Sequence, residues 1–148
     1  MLSNIALSTF MVGLNVTIHF AGLLALLFVL RRTGHRFRAH ESWLGQGAAI
    51  LFVVLGLVAV HAVEIWSYAA IYRVIGALPD LESALYFSTA SFTTIGYGDV
   101  VLDHKWRLFG AIEGANGLLL FGWSTAFLIS VTSRMRILEH DWLEAPDR

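Results

Sequence analysis

A glycine-rich motif, Thr-Thr-Ile-Gly-Tyr-Gly-Asp-Val, occupies positions 93–100 and has the residues of an ion-binding site. Gly96 and Gly98 alternate with Ile95 and Tyr97, and glycine supplies the unusual backbone dihedral angles that let successive carbonyl groups point at one axis. Carbonyl oxygens arranged in this way replace the water shell of an ion, and the Thr94 hydroxyl adds another oxygen. Because irregular backbone at membrane depth must be buried in protein or line a water path, the segment predicts an ion-binding strand.

The composition places this strand in a membrane protein. Of the 148 residues, 57% are hydrophobic and 14% are charged, whereas a soluble domain usually carries about 25% charged residues. So few charges argue against an ordinary cytosolic enzyme. The net charge of -1 argues against nucleic acid as a partner. The absence of cysteine excludes disulfides, thiolate metal sites and cysteine nucleophiles.

Three apolar stretches are long enough to position such a strand within a bilayer. A spanning helix needs about 20 mostly apolar residues, and segments 5–30, 46–70 and 107–131 meet this requirement. Segment 81–93 is too short to cross and predicts a re-entrant pore helix, with Asp80 as its N-cap. The fold prediction is therefore an all-α membrane protein with three transmembrane helices, a re-entrant pore helix and a filter.

Basic residues beside the spans predict the orientation in the membrane. The connection after the first span, which we take as a retained helix rather than a signal peptide, contains Arg31, Arg32, Arg36 and Arg38. The segment after the third span contains Arg134 and Arg136. The N-terminus is therefore predicted outside and the C-terminus in the cytoplasm. The four arginines after the first span also predict contacts with anionic lipids.

The chain from 43 to 136 resembles the pore domain of tetrameric potassium channels of the bacterial two-transmembrane type. The order of elements, their spacing and the motif Thr-Ile-Gly-Tyr-Gly at 94–98 carry the resemblance. It implies a homotetramer in the bacterial inner membrane that conducts K⁺ passively, with no enzymatic activity and no organic cofactor. The implied domains are an extra transmembrane helix with a basic loop at 1–42, the pore domain at 43–136 and a cytoplasmic tail at 137–148.

The same resemblance implies roles for individual residues. The K⁺ ligands are the Thr94 hydroxyl and the carbonyl groups of Thr94, Ile95, Gly96 and Tyr97, and Gly98 completes the filter. Gly117 lies at the hinge position of the inner helix. The cavity and gate positions are Leu118, Phe121, Thr125 and Ile129, for which ordinary helix packing is the alternative. Gly110 and Gly114 form a small-xxx-small pair, which favours close helix packing.

The sequence departs from this family around the acid that ends the filter. Many members hold that acid with a carboxylate or with a pair of tryptophans in the pore helix. The matching positions here are Ala90 and the pair Tyr86 and Phe87. We therefore expect Asp99 to lack its usual partner, unless a glutamate from a span replaces it. Asp99 and Asp103 are expected to attract cations to the outer mouth.

Ionisable and amide side chains within the spans predict a polar layer behind the filter, since such groups are costly in a bilayer and often functional. Its members are Asn15, His61, Glu64, Glu113 and Asn116. Glu113 and Asn116 are expected to face the outer helices rather than the ion path. The layer is either a hydrogen-bonded packing network or a pH-responsive strut that changes charge at His61 or at a glutamate pair. His19 is expected to be a packing residue.

Three other functions remain open at this stage. Weak support around Asp99 allows a cation channel with poor discrimination between K⁺ and Na⁺. A non-conducting accessory subunit with the pore fold is a second alternative. A haem or metal protein is the third, but His19 and His61 differ in predicted depth by about five residues, which argues against a shared ligand site.

Overall fold

The computed structural model describes residues 2–34 and 43–133, and every regular element in these two ranges is a helix. The helices are α1 (Leu2–Gly34), α2 (Trp43–Val74), α3 (Leu81–Phe92) and α4 (Arg107–Thr132). Helices α1, α2 and α4 are long and apolar enough to cross a membrane. Helix α3, with 12 residues, is about 18 Å long and too short to cross. The predicted all-α fold with three membrane spans is therefore confirmed.

The predicted spans are right in number and order, but two of them are too short. Helix α1 runs from 2 to 34 rather than from 5 to 30, and α2 runs from 43 to 74 rather than from 46 to 70. Both helices continue beyond the apolar runs into polar residues, among them Asn4 in α1 and Arg73 in α2. Arg31 and Arg32 extend the last turn of α1, where a positive charge interacts favourably with the helix dipole.

Other predicted residues lie outside the described part of the chain. They are Arg36, Arg38, Arg134 and Arg136, together with the tail at 137–148. The predictions made for them stay predictions, as does the division of the chain into domains.

Helix α3 begins where the sequence predicts, because Asp80 caps its first turn. The Asp80 carboxylate accepts hydrogen bonds from the Ser83 backbone N–H at 2.7 Å and from the Ser83 hydroxyl at 2.8 Å. These bonds lower the pKa of the Asp80 carboxyl. The helix ends at Phe92, one residue before its predicted end, and leads directly into the segment 93–98.

Glycines on one side of α4 allow close contact with α3, as predicted for Gly110 and Gly114. A Cβ atom on Gly114 would lie 3.1 Å from the Ser91 carbonyl oxygen, and one on Gly110 would lie 3.1 Å from the Phe87 ring. Gly117 is tighter still, since its Cβ would lie 2.0 Å from the Phe92 carbonyl oxygen. The end of α3, and with it the start of the filter segment, therefore rests on this side of α4.

Helix α1 packs along both α2 and α4. Leu26 of α1 lies against Gly56 of α2, and Val60 of α2 lies against Gly22 of α1. Near its start, the Asn4 side chain donates a hydrogen bond to the backbone carbonyl of Lys105, just before α4. The extra helix is thus part of the same packed unit as the other three.

The buried apolar residues form two clusters with polar side chains between them. One cluster surrounds α3 and includes Tyr68, Tyr72, Phe92, Phe109 and Leu120. The other comprises Leu23, Leu26, Val53, Leu57 and Val131. On all three long helices, the buried polar residues His19, His61, Glu64 and Ser124 fall between the two clusters in sequence.

Candidate functional site

The segment after α3 has an alternating backbone. Thr94, Gly96 and Gly98 have positive φ angles of 61°, 55° and 80°, while Ile95 and Tyr97 between them do not. Among the residues that the structure describes, Thr94 is the one non-glycine with positive φ. For a β-branched residue this conformation is a genuine outlier, and such strain costs about 1–3 kcal/mol and clusters at functional sites.

The N–H groups of this segment turn back towards α3. The Thr94 N–H donates to the Ser91 carbonyl at 2.9 Å, and the Gly96 N–H donates to the Ala90 carbonyl at 3.0 Å. These bonds satisfy carbonyl groups at the end of α3 that have no partner within the helix. In the described ranges, no donor reaches the carbonyl oxygens of residues 94–97. Those oxygens therefore remain available for a cation, which is the chemistry predicted for the motif.

The large side chains of the segment are not covered within one chain. Ile95 is 54% exposed and Tyr97 is 71% exposed. A single strand also cannot surround an ion. Exposed apolar side chains beside an irregular membrane segment indicate a surface that another molecule covers.

Asp99 lacks the usual partner, as predicted, but it has a different partner that was not predicted. The Tyr86 hydroxyl donates a 2.7 Å hydrogen bond to Asp99 Oδ2, and the Val100 N–H donates to Asp99 Oδ1 at 3.0 Å. A phenol at 86 thus replaces the carboxylate or tryptophan pair that the sequence comparison required, while Ala90 contributes only its carbonyl to Gly96. The Tyr86 bond lowers the pKa of the Asp99 carboxyl and raises the pKa of the Tyr86 phenol.

Replacement of Tyr86 by phenylalanine is expected to raise the pH at which Asp99 becomes protonated and the current falls. In the Tyr86→Phe variant the pKa of Asp99 rises towards its ordinary value, because the bond that stabilises the carboxylate is gone. Asp99 then becomes protonated, and loses its attraction for cations, at a higher pH than in the wild type. Current measured against the pH on the filter side checks this. Coincident curves for the two proteins would contradict it, and an Asp99→Asn background should abolish the shift.

Glu113 of α4 lies among hydroxyl groups of α2 and α3. Glu113 Oε2 accepts a 2.6 Å hydrogen bond from Tyr72, and the Ser88 hydroxyl lies between Glu113 Oε1 at 2.5 Å and the Ile65 carbonyl at 2.9 Å. These contacts join α2, α3 and α4. The sequence left open that a glutamate from a span holds Asp99. Glu113 does not do so, because its carboxylate bonds to Tyr72 and Ser88.

Asn116 extends the same side of α4 towards α2. Its side-chain amide donates to the Tyr68 hydroxyl at 3.3 Å. Both Glu113 and Asn116 therefore face the outer helices, as predicted. No sequence signal identified the hydrogen-bonding roles of Tyr68, Tyr72 and Ser88, because a tyrosine or serine in a span has no distinctive spacing.

The rest of the predicted polar layer forms a separate cluster at the junction of α1, α2 and α4. His19 Nδ1 lies 3.0 Å from Glu64 Oε1, and His61 Nδ1 lies 2.8 Å from Glu64 Oε2. His61 Nε2 lies 2.9 Å from Ser124 Oγ. Asn15 hydrogen-bonds to Ser67 at 3.1 Å. We call His19, His61, Glu64 and Ser124 the histidine cluster.

His19, expected to be a packing residue, is held by a hydrogen-bond contact with Glu64. The expectation that depth keeps the two histidines apart is wrong. Their rings lie 5.4 Å apart, because side chains from α1 and α2 both reach the same carboxylate. These contacts support the packing-network role, and the pH-responsive alternative stays a prediction.

The predicted cavity and gate residues do not all share one face. Leu118 is 63% exposed, Ile129 is 61% exposed, and Thr125 is also exposed. The Phe121 ring is half-buried and packs 4.4 Å from the His61 ring and 5.7 Å from the Phe92 ring. Phe121 therefore points towards the histidine cluster, whereas Leu118, Thr125 and Ile129 lie on the exposed face of α4.

The chain is similar to a known family of ion channels. The model of the Ion_trans_2 family, whose description is ion channel, matches residues 58–134. The matched region covers the second half of α2, all of α3, residues 93–98 and α4, and it excludes α1. No solved structure matches the chain.

Proposed function

This chain belongs to the Ion_trans_2 family and is an integral membrane ion channel, and from that premise we propose that it conducts potassium ions selectively and passively. The observation that carries the proposal is the alternating backbone at residues 94–98. It directs N–H groups to α3 and leaves a row of carbonyl oxygens free. Such a row replaces the hydration shell of K⁺. A channel rather than an enzyme is the activity that this family supports.

The conducting unit in this proposal is a homotetramer. Four copies of the filter segment surround one axis, and the exposed Ile95 and Tyr97 side chains are covered by neighbouring subunits. K⁺ is the transported substrate. It loses water, is coordinated by the carbonyl oxygens of residues 94–97 and by the Thr94 hydroxyl, and moves by knock-on between adjacent sites. Gly98 completes the filter.

Asp99 and Asp103 form the outer mouth of this pore. Both side chains are exposed, and a carboxylate that stays ionised attracts cations. The hydrogen bond from Tyr86 keeps Asp99 ionised at lower pH. On the inner side, Leu118, Thr125 and Ile129 line the cavity and its gate.

The proposed location is the bacterial inner membrane, with the N-terminus outside and the C-terminus in the cytoplasm. The exposed Arg31 and Arg32 at the end of α1 support a cytoplasmic position for that end. They are also available to anionic lipids. The Arg32 guanidinium lies 4.7 Å from the Phe28 ring centre, which is typical of a cationic side chain at an apolar boundary.

Ion flux into and out of liposomes that contain the purified protein tests this proposal. We expect flux down a K⁺ gradient and much less flux when Na⁺ replaces K⁺, with none in protein-free liposomes. Equal flux of both ions would contradict potassium selectivity and favour a weakly selective cation channel. A folded tetramer that gives no flux at any pH would favour a non-conducting accessory subunit.

A further inference from the structure

We propose that His19, His61 and Glu64 form a binding site for a divalent first-row transition-metal ion, with Zn²⁺ as the ion that fits best. The site joins α1 to α2 within the membrane, beside the helix that lines the pore. None of its three ligands belongs to residues 94–98, and the site does not depend on which ion the filter selects.

The three side chains supply a ligand set typical of zinc. One donor atom from each residue lies within 4.8 Å of the other two. Two imidazole nitrogens and one carboxylate oxygen hold zinc in many enzymes and leave a fourth position open. Ligand atoms around a tetrahedral Zn²⁺ lie about 3.3 Å apart. The present N–O distances of 3.0 Å and 2.8 Å run to different oxygens of Glu64, Oε1 for His19 and Oε2 for His61, so an ion between the rings would bind the carboxylate through both oxygens or after its rotation.

The far side of both rings is also arranged as at a metal centre. Histidines that bind a metal donate their other ring N–H to a fixed acceptor, which orients the ring. Ser124 Oγ lies 2.9 Å from His61 Nε2 and 3.5 Å from His19 Nε2. With the metal on both Nδ1 atoms, each Nε2–H donates to this hydroxyl. Ser124 is therefore a positioning residue for both ligands.

Burial and aromatic packing hold the ligands in place. His19 and Glu64 are fully buried, and His61 is 7% exposed. The Trp123 ring lies 5.3 Å from the His19 ring, and the Phe121 ring lies 4.4 Å from the His61 ring. Little reorganisation is then required on binding, and the apolar shell limits access of water to the ion.

The second buried glutamate provides an internal contrast. Glu113 is also fully buried, and hydroxyl groups from Tyr72 and Ser88 satisfy it. Packing a glutamate in this fold therefore does not require imidazoles. At Glu64 the two donors are histidines from different helices, one of them from α1, which lies outside the matched family region. We infer that the metal ion fixes α1 to α2 and, through Ser124, to α4.

Metal analysis of the purified protein tests the site without any measurement of current. Protein purified without chelators from zinc-supplemented cells is expected to hold one Zn²⁺ per chain. The variants His19→Gln and His61→Gln are expected to lose it. His104→Gln is the matched control, because His104 is exposed and lies outside the cluster, and it should keep the ion.

Titration of metal-free wild-type protein with Co²⁺ removes any dependence on variants that fail to fold. Visible absorption bands that saturate at one Co²⁺ per chain, and that Zn²⁺ displaces, are expected. The Ser124→Ala variant should bind about 10–100-fold more weakly, as loss of a partner behind a metal ligand usually causes. The proposal is overturned if the folded wild-type oligomer binds no metal, or if the double variant His19→Gln/His61→Gln binds as well as wild type.

Discussion

Replacement of Gly96 by alanine is expected to abolish K⁺ flux in reconstituted liposomes while the protein still folds and assembles. The φ angle of Gly96 is +55°, a region that costs an L-residue about 1–2 kcal/mol. A Cβ atom there would meet nothing within 4 Å in the chain, so the effect within the chain is conformational rather than steric. Relaxation of φ to a negative value turns the neighbouring carbonyl groups away from the shared axis, and coordination of K⁺ is lost.

Gly76→Ala is the matched control for this experiment. Gly76 has a φ angle of +66°, and a Cβ atom there also meets nothing within 4 Å. The residue is exposed in the loop between α2 and α3, so the same backbone strain arises away from the filter. K⁺ flux in Gly76→Ala should remain near that of wild type. Conduction by Gly96→Ala, or an equal loss in both variants, would contradict a filter role for Gly96.

The sequence predicts the elements of this fold well because their signals are local. Long apolar segments identify membrane helices, Asp80 marks the start of α3, and the Gly-rich motif marks the positive φ angles of Gly96 and Gly98. The positive φ of Thr94 does not follow from its residue type, since threonine rarely adopts it. That conformation accompanies the hydrogen bonds that the N–H groups of Thr94 and Gly96, on either side of Ile95, donate to carbonyl groups of α3.

The contacts between helices were harder to predict, because hydropathy says nothing about how one helix is rotated or shifted against another. His19 appeared too deep to meet His61, yet both reach Glu64. Tyr86 stands at a position where a tryptophan is expected, so no hydrogen bond from it to Asp99 was predicted. Its hydroxyl nevertheless reaches Asp99, because a phenol is an adequate donor to a carboxylate.

Replacement of Gly117 by alanine is expected to prevent stable assembly, rather than only to change how readily the pore opens. A Cβ atom on Gly117 would lie 2.0 Å from the carbonyl oxygen of Phe92 and 2.8 Å from its carbonyl carbon. These are backbone atoms at the end of α3, so they cannot move unless the filter segment moves with them. Overpacking typically lowers the free energy of unfolding by about 1–3 kcal/mol. We expect a decrease of about 3 kcal/mol here, because no flexible side chain can move aside.

Gly122→Ala on the same helix separates this packing role from a general need for glycine in α4. A Cβ atom on Gly122 meets nothing within 4 Å in the chain, and the substitution gives the same gain in helix propensity. The thermal unfolding temperature and the assembled fraction on size-exclusion chromatography should be near wild type for Gly122→Ala and strongly reduced for Gly117→Ala. If Gly117 acts only as a hinge, its alanine variant will assemble normally and show altered opening alone. Assembly therefore decides between the two roles, since a hinge needs flexibility in α4, whereas the contact with Phe92 needs the absence of a side chain.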